Sequence, residues 1–226
     1  MRLFKLTLAG PLQSWGDHAR WDNRDTASAP TKSAIIGMIG SCMGIPRGDP
    51  KLRMLSDKLH MAVRIDAAGH VITDYHTVQG TGGIMLNAKG KPRGGGSTII
   101  TPRQYLQDAR FAVYIWGDDG LLNEAYNAFL HPKWAPYLGR KSCTPSIPIV
   151  PQWIEAPCID DAISSLTPEE QQLGKHARIV QIEVLPEDNI RPDENIIERR
   201  DNVVRADIND YNPRYIRVSR VKGAFK

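Results

Sequence analysis

The pattern of hydrophobic and polar positions predicts a strand and then two helices in the first part of the chain. Leu3–Ala9 alternates with the period of a β-strand, and the alternation stops at Gly10, a turn signal together with the proline that follows. After a polar stretch, Thr31 is the expected N-cap of an apolar helix that runs towards Gly44. This helix contains glycines, which have no side chain, so we expect another element to pack closely against it. Pro50–Leu59 is predicted to be a second, short helix because its leucines share one side.

Further along the chain, the predicted elements complete an α+β pattern. Strand–helix–strand–strand followed by strand–helix is the order of a ferredoxin-like sheet. RNA-binding folds of this RRM-like shape lay nucleotides across the sheet and its loops. The further elements are two strands at Met61–Ile65 and Val71–Val78, a short helix that begins at Thr101-Pro102, a strand at Phe111–Trp116 and a helix at Leu121–Leu130.

The composition changes near residue 146, where prolines become frequent. We therefore expect a ferredoxin-like RNA-binding domain over residues 1–145 and a smaller, β-rich C-terminal portion over residues 146–226. The elements predicted in this portion are an acidic helix near Pro168–Leu173 and strands near Ile179–Val184, Val203–Ile208 and Tyr215–Val221.

The segment Gln79–Ser97 is too rich in glycine to form a regular element. It contains seven glycines, an apolar patch and several basic residues. A glycine-rich stretch of this length inside a compact domain is usually functional or disordered. We predict an inserted thumb over about residues 79–100, whose candidate contact residues are Ile84, Met85, Leu86, Lys89, Lys91 and Arg93.

Charge favours an anionic partner without proving one. The net charge is +4 and the sequence pI is about 9.0. Basic residues concentrate in the middle of the chain and again after residue 199, while the stretch between residues 155 and 198 is acidic. Opposite faces of this kind are either simply solvated or the sides of a charged groove. The sequence therefore allows a nucleic-acid partner.

Other features bear on the location of the protein and on a metal or a cofactor. Three cysteines without metal-ligand spacing argue against a disulfide framework and against a zinc site. No secretory signal is visible, and the apolar run Ala34–Ile45 is too short to span a bilayer. We expect a cytoplasmic protein without a cofactor or a metal.

The most distinctive motif lies between the first strand and the first helix, and no nucleotide-binding or hydrolase signature accompanies it. Gly10 and Gly16 free the backbone to bend on either side of Trp15. That tryptophan offers a stacking surface or packs in the core. Lys32 and Ser33 follow at a helix N-terminus, which favours phosphate or is an ordinary helix cap.

The order of five motifs resembles a known family. They are Leu8–Gly16, Pro30–Gly44, Asp74–Thr77, Arg103–Ala109 and Tyr137–Cys143. In this order they resemble the CasD family of subunits of Cascade, the type I-E CRISPR surveillance complex, within the repeat-associated RNA-binding superfamily. The resemblance covers roughly the first two-thirds of the chain and is loose after about residue 155.

The resemblance implies a ferredoxin-like core with an extended thumb, and a non-catalytic role in antiviral DNA surveillance. It implies binding to the 5′ handle of CRISPR RNA, contact with the backbone subunit CasC and the large subunit CasA, and only indirect contact with target DNA. No membrane is implied. Residues Ile84–Leu86 would wedge beside a displaced base or pack on a neighbouring backbone subunit.

The RNA-binding candidates combine basic, polar and aromatic side chains from these motifs. Basic residues contact phosphates, and an aromatic ring can stack on a base. The candidates are Gln13, Trp15, Arg24, Lys32, Ser33, His76, Arg103, Tyr105, Arg140 and Lys141.

Two alternatives remain open. His76 could act as a general base on a ribose hydroxyl, with Tyr75 or Lys32 stabilising the developing charge, as in a metal-independent endoribonuclease. Some relatives in other CRISPR subtypes cut precursor RNA in this manner, whereas in type I-E systems the separate CasE subunit does so. The second alternative is a subunit that only contacts other proteins.

Overall fold

The computed structural model describes residues 1–16, 24–80, 84–87, 90–92, 98–167, 170, 178–186, 188 and 190–221. Two antiparallel sheets and four helices make up this part of the chain. The helices are α1 (Lys32–Met43), α2 (Pro50–Lys58), α3 (Asp119–Leu130) and α4 (Ile159–Ser164). The strands are β1 (Arg2–Ala9), β2 (Leu12–Gln13), β3 (Leu59–Ala67), β4 (His70–Gln79), β5 (Thr98–Gln107), β6 (Arg110–Gly117), β7 (Gln152–Glu155), β8 (Arg178–Glu183), β9 (Asn195–Arg205) and β10 (Asp210–Val221).

The large sheet has seven strands in the order β7-β1-β6-β3-β8-β10-β9. Helices α1 and α2 connect β1 and β2 to β3, and α3 connects β6 to β7. Alternate residues of β1 face opposite sides of the sheet, as the strand period requires. Phe4, Leu6 and Leu8 pack in the main core with α1, α2 and α3, whereas Leu3 packs in a second core with Ile163 of α4.

Local signals explain where α1 begins and ends. Thr31 accepts a hydrogen bond from the backbone N–H of Ala34 at 3.4 Å, and Gly44 ends the helix with φ 73°. The expected close contact is confirmed at Gly40, where a Cβ atom would lie 2.5 Å from Leu52 of α2. A larger residue at position 40 would require the Leu52 side chain to move.

A buried ionic cluster lies on the face of the sheet that α4 covers. The fully buried guanidinium of Arg64 bonds Asp66 at 2.7 Å and Glu170 at 2.8 Å, and Lys5 bonds Glu170 at 3.0 Å. Burial alone would raise the pKa of Glu170. The hydrogen bond from Thr167 and the positive charge of Arg64 outweigh burial and lower this pKa to about 2.

The predicted division near residue 146 does not separate the sheet. Strands β7 to β10 follow that point in the chain, yet they continue the sheet that β1, β3 and β6 begin. In particular, β8 pairs with β3 over Ala62–Ile65. The C-terminal portion is therefore part of the same β-sheet as the N-terminal portion.

Several predicted elements match the structure, and others are corrected. The predicted strands at the N-terminus and at Phe111–Trp116 and the helices α1, α2 and α3 are confirmed. The helix predicted from Thr101-Pro102 is wrong, because this segment is part of β5 and pairs with β4 over ten residues. A proline near the start of a segment favours a helix by local preference. That preference is overridden where a neighbouring strand forms hydrogen bonds with the same backbone.

The remaining corrections concern partners and boundaries. The strands predicted at Met61–Ile65 and Val71–Val78 exist as β3 and β4, but they belong to different sheets. The strand predicted at Val203–Ile208 ends at Arg205. The acidic helix predicted near Pro168–Leu173 lies outside the described residues except for Glu170, and a helix is present earlier, as α4. Across the described residues, no helix has both the length and the apolar character needed to cross a bilayer.

Candidate nucleic-acid interface

Three of the sequence motifs meet around the small sheet, which has the strand order β2-β5-β4. Gln13 of β2 pairs with Leu106 of β5. The backbone N–H of Ser14 then donates to the carbonyl of Leu138 at 3.1 Å, and Leu138 in turn donates to the carbonyl of Cys143 at 2.8 Å. The motifs around residues 10–16, 103–109 and 137–143 are therefore held together in one region of the structure.

Arg140 fixes the segment that begins at Arg24 against this region. Its guanidinium carbon lies 4.6 Å from the ring centroid of Tyr105, and Nη2 donates to the carbonyl oxygen of Arg24 at 3.1 Å. Arg24 forms a parallel bridge with Arg103. The backbone N–H of Arg24 donates to the carbonyl of Pro102, and the carbonyl of Arg24 accepts from the N–H of Gln104. The Nη2 atom of Arg140 is therefore engaged within the protein, and Nη1 is buried.

The candidates Gln13, Trp15 and Tyr105 are corrected, because the structure buries them. Gln13 and Trp15 have no exposed surface and Tyr105 is 7% exposed. Gln13 donates to the carbonyl of Ala109 at 2.7 Å. Gly139 closes the loop over Trp15, and a Cβ atom at Gly139 would lie 1.7 Å from the carbonyl oxygen of Ser14. These three side chains support the surface and do not present a ring or an amide to a base.

Lys32 is also buried, and its predicted role at a phosphate is wrong. Its Nζ lies 2.6 Å from Glu183 Oε1, and its backbone N–H donates to Asp201 Oδ2 at 2.7 Å. Arg214 binds the same Asp201 carboxylate with two nitrogens. We call these four residues the charged hub; it holds the N-terminus of α1 to β8, β9 and β10.

Burial and charge act in opposite directions within the charged hub. Burial lowers the pKa of Lys32, although the Glu183 carboxylate partly opposes this effect. Burial by itself would raise the pKa of Glu183, but the hydrogen bond from His60 and the charge of Lys32 lower it below its ordinary value. The carboxylate of Glu183 also accepts a hydrogen bond from the backbone N–H of Met61 at 3.1 Å. Glu183 is therefore held ionised inside the protein.

An open groove of about 370 Å³ runs between α1 and the loop before residue 140. Its floor is a stripe of small residues on α1, and a Cβ atom at Gly37 would meet no atom within 4 Å. Trp134, which is 47% exposed, and Tyr137 line the opposite wall. We call this the α1 groove; the α1 residues that line it are Ser33, Ala34, Gly37, Met38 and Ser41.

Of the predicted contact residues, Ser33 lines the α1 groove. Tyr137 lies in one of the five motifs but was not named as a contact, and Trp134 lies outside those motifs. The small residues Ser33, Gly37 and Ser41 recur every four positions, which places them on one side of a helix. That spacing is the signal that could have located the floor. No comparable pattern precedes Trp134, because a loop brings it to the groove.

Exposed basic side chains lie on the surface around the small sheet. Arg24 and Lys141 are exposed, and Arg103 is partly exposed with its Nε donating to Thr101 Oγ1 at 3.3 Å. These three cations lie in or beside the motif region and present positive charge to solvent. These three predicted contacts can therefore reach a phosphate.

The predicted thumb is described only in part. Lys89 and Arg93 lie outside the described residues. Ile84 and Leu86 are each 57% exposed, and Leu86 forms a bridge with Pro92. Lys91 is exposed and Met85 is partly buried.

The alternative catalytic set is not assembled. Tyr75 and His76 are successive residues of β4, so their side chains point to opposite faces. Lys32 is buried in the charged hub, away from solvent. His76 contacts the Asp74 carboxylate at 3.7 Å. In addition, the described residues contain no group of three or more His, Cys, Asp or Glu side chains that could hold a metal ion.

Comparison with known proteins identifies the family. The family model described as "CRISPR-associated protein (Cas_Cas5)" matches residues 3–226. This chain belongs to that CRISPR-associated family.

Relatives of this Cas5 chain agree with the assignment. The chain is 38% identical to CRISPR system Cascade subunit CasD of Escherichia coli (strain K12) over 158 residues, which is 64% of this chain and 67% of the relative. A chain from a solved CRISPR RNA-guided surveillance complex superposes with a TM-score of 0.76 at 28% identity, covering 97% of this chain and 90% of that one. The resemblance to the CasD family is thus confirmed.

A second solved structure supports the fold of this Cas5 chain alone. It is described as a crystal structure of a Cas protein, and it superposes with a TM-score of 0.64 at 24% identity. The match covers 98% of this chain and 95% of the other. It therefore includes the C-terminal strands, where the sequence resemblance is loose.

Proposed function

We propose that this chain is a non-catalytic subunit of Cascade that binds the 5′ handle of CRISPR RNA. Membership of the Cas5 family and the similarity to the CasD subunit support the assignment to a CRISPR surveillance complex. The observation that carries RNA binding is the meeting of three motifs beside the α1 groove, with Arg24, Arg103 and Lys141 around them. The same subunit would contact CasC and help to anchor CasA.

The cations and the groove would have different roles in this proposal. Arg24, Arg103 and Lys141 would hold the phosphate backbone, which provides affinity without sequence specificity. Unstacked bases of a single strand are commonly held on aromatic side chains. In the α1 groove, Trp134 and Tyr137 supply such rings, and the small floor leaves room for a base.

The order of the strands supports a ferredoxin-like core as part of the proposal. In chain order, β1, α1, β3, β6, α3 and β7 have the sequence β-α-β-β-α-β. Numbered one to four along the chain, these strands lie side by side in the large sheet in the order four, one, three, two (β7-β1-β6-β3). The hairpin of β4 and β5 would be the thumb, because β4 is exposed along almost its whole length.

The test is RNA binding by the purified chain across a salt series in EDTA, with labelled repeat RNA. Arg24→Glu and Lys141→Glu should each reduce the log–log salt slope by about 0.7 per lost phosphate contact. Arg53→Glu is the matched control, since Arg53 is an exposed cation on α2 with a side chain 58% exposed. A slope unchanged in all three variants would show that Arg24 and Lys141 do not hold phosphates, and no salt-sensitive RNA binding by the unmodified chain would argue for a subunit that only contacts proteins.

The same samples also test the endoribonuclease alternative. After incubation in EDTA, the RNA should remain intact on a denaturing gel. A discrete cut that His76→Ala abolishes would overturn the non-catalytic assignment.

A further inference from the structure

The strand at the outer edge of the small sheet is long, and its outer side pairs with no other strand among the described residues. Strand β4 has ten residues, pairs with β5 on one side, and lies at the end of the strand order. All of its residues are exposed except His76, which is partly buried. Proteins usually protect such an edge with lysine, proline or a bulge. Strand β4 has no lysine or proline, and its pairing with β5 is in unbroken register.

The sequence of β4 is complementary to itself when two copies run antiparallel with Tyr75 at the centre. In that register Tyr75 faces Tyr75, Asp74 faces His76, and Ile72 faces Val78. Thr73 then faces Thr77. Aromatic pairs and threonine pairs stabilise antiparallel sheets, and the Asp74 carboxylate can accept a hydrogen bond from the imidazole N–H of His76.

Neighbouring registers lack this complementarity. Centring the two strands on Asp74 would place two carboxylates opposite each other, and centring them on His76 would place two imidazoles opposite each other. In both cases Ile72 would lose Val78 as its facing residue. One register therefore matches apolar, hydroxyl and charged positions at once.

We propose that the free chain forms a two-fold symmetric dimer in which β4 of one copy pairs with β4 of a second copy. The two small sheets become one continuous six-stranded sheet, in the order β2-β5-β4 and then the same strands in reverse. The exposed apolar side chains of β4 support a second copy of the chain as its partner. Tyr75 is 68% exposed, Val71 58%, Val78 38% and Ile72 36%, and the dimer would cover Tyr75, Ile72 and Val78.

The register predicts which single cysteines cross-link. All variants carry Cys158→Ser, because Cys158 is the exposed thiol whereas Cys42 and Cys143 are buried. Tyr75→Cys faces itself across the two-fold axis, at a separation that a disulfide can span. It should give a covalent dimer on mild oxidation of the full chain.

Substitutions at threonine positions test the register itself. Thr73→Cys faces Thr77 and should remain monomeric under the same oxidation, whereas Thr73→Cys combined with Thr77→Cys should cross-link. Failure of Tyr75→Cys to cross-link would overturn the proposal. Equal cross-linking by Thr73→Cys alone would also overturn it, since that result indicates random collision.

The mass of the unmodified chain provides an independent measurement. Sedimentation of the 25.2 kDa chain from micromolar to sub-millimolar concentration should show a shift towards twice that mass. Tyr75→Lys, which places two like charges opposite each other, should raise the dissociation constant roughly tenfold. Tyr215→Lys is the matched control, because Tyr215 is an exposed tyrosine of β10 at 52% exposure.

Charge exchange completes the test. Asp74→Lys should weaken the dimer, and the added substitution His76→Glu should restore it. A chain that is monomeric at every concentration would overturn the proposal. A dimer that neither Tyr75→Lys nor Asp74→Lys affects would show that the two copies associate elsewhere.

Discussion

Replacing Lys32 by methionine tests the charged hub directly. The side chains of Lys32 and Glu183 are 3% and 6% exposed, and their charged atoms lie 2.6 Å apart. Methionine keeps most of the length of lysine and removes the charge. The substitution leaves an ionised carboxylate buried without its cation, which costs about 3–5 kcal/mol of the free energy of unfolding.

The chain offers a matched control for this experiment. Lys51 and Glu124 form a pair with nearly the same separation, 2.7 Å, but their side chains are 36% and 51% exposed. Lys51→Met should cost about 0–1 kcal/mol, because water compensates for the lost contact. Denaturant unfolding followed by circular dichroism measures both variants on the same scale.

A second substitution separates lost packing from lost charge. Adding Glu183→Gln to Lys32→Met removes the uncompensated charge and keeps an oxygen that accepts the N–H of Met61. The double variant should therefore recover a large part of the lost stability. If Lys32→Met cost no more than Lys51→Met, or if the second change recovered nothing, the argument from buried charge would be refuted.

Three further substitutions have definite expected outcomes. Gly139→Ala should lower the melting temperature and weaken RNA binding, because φ is 88° and the added Cβ would meet the carbonyl oxygen of Ser14. Gly37→Ala, in contrast, should raise stability by about 0.5–1 kcal/mol, since the added methyl group enters open space on a helix; a loss of stability there would mean that the floor of the groove is closed. Glu170→Gln should make the free energy of unfolding depend less steeply on pH in the acidic range. The pKa of Glu170 is lowered from 4.5 to about 2, so its contribution is present above pH 4.5 and is lost as the pH falls through this range; an unchanged pH dependence there would contradict that pKa.

Hydrophobic periodicity and capping predicted the elements that depend on nearby residues. The helix behind Thr31 is one example, because both its cap and its buried side lie within a few residues. The predictions fail where a segment far away in the sequence determines the local structure. Thr101 begins a helix by local preference, but it belongs to a strand because β4 lies beside it.

The distinction between nearby and distant contacts also explains which site predictions failed. Lys32 was predicted to bind phosphate because a helix N-terminus is an anion site, yet its partners Glu183 and Asp201 come more than 100 positions later in the chain. Arg140 was predicted to contact RNA because it is a basic residue of these motifs, but its guanidinium donates a hydrogen bond to the carbonyl of Arg24. No pattern within a short window reports such contacts, whereas exposed loop cations such as Lys141 need no distant partner.

The strand order has a consequence for how the chain folds during synthesis. Strand β3 is made early, but its neighbour β8 is made only after the four strands β4 to β7. Until β8 emerges from the ribosome, one side of β3 remains an unsatisfied edge, and Lys32 lacks the carboxylates that neutralise it. Contacts between segments so far apart in the chain slow folding. The nascent chain therefore has a period in which it is vulnerable to aggregation, which ends only when its last strands are complete.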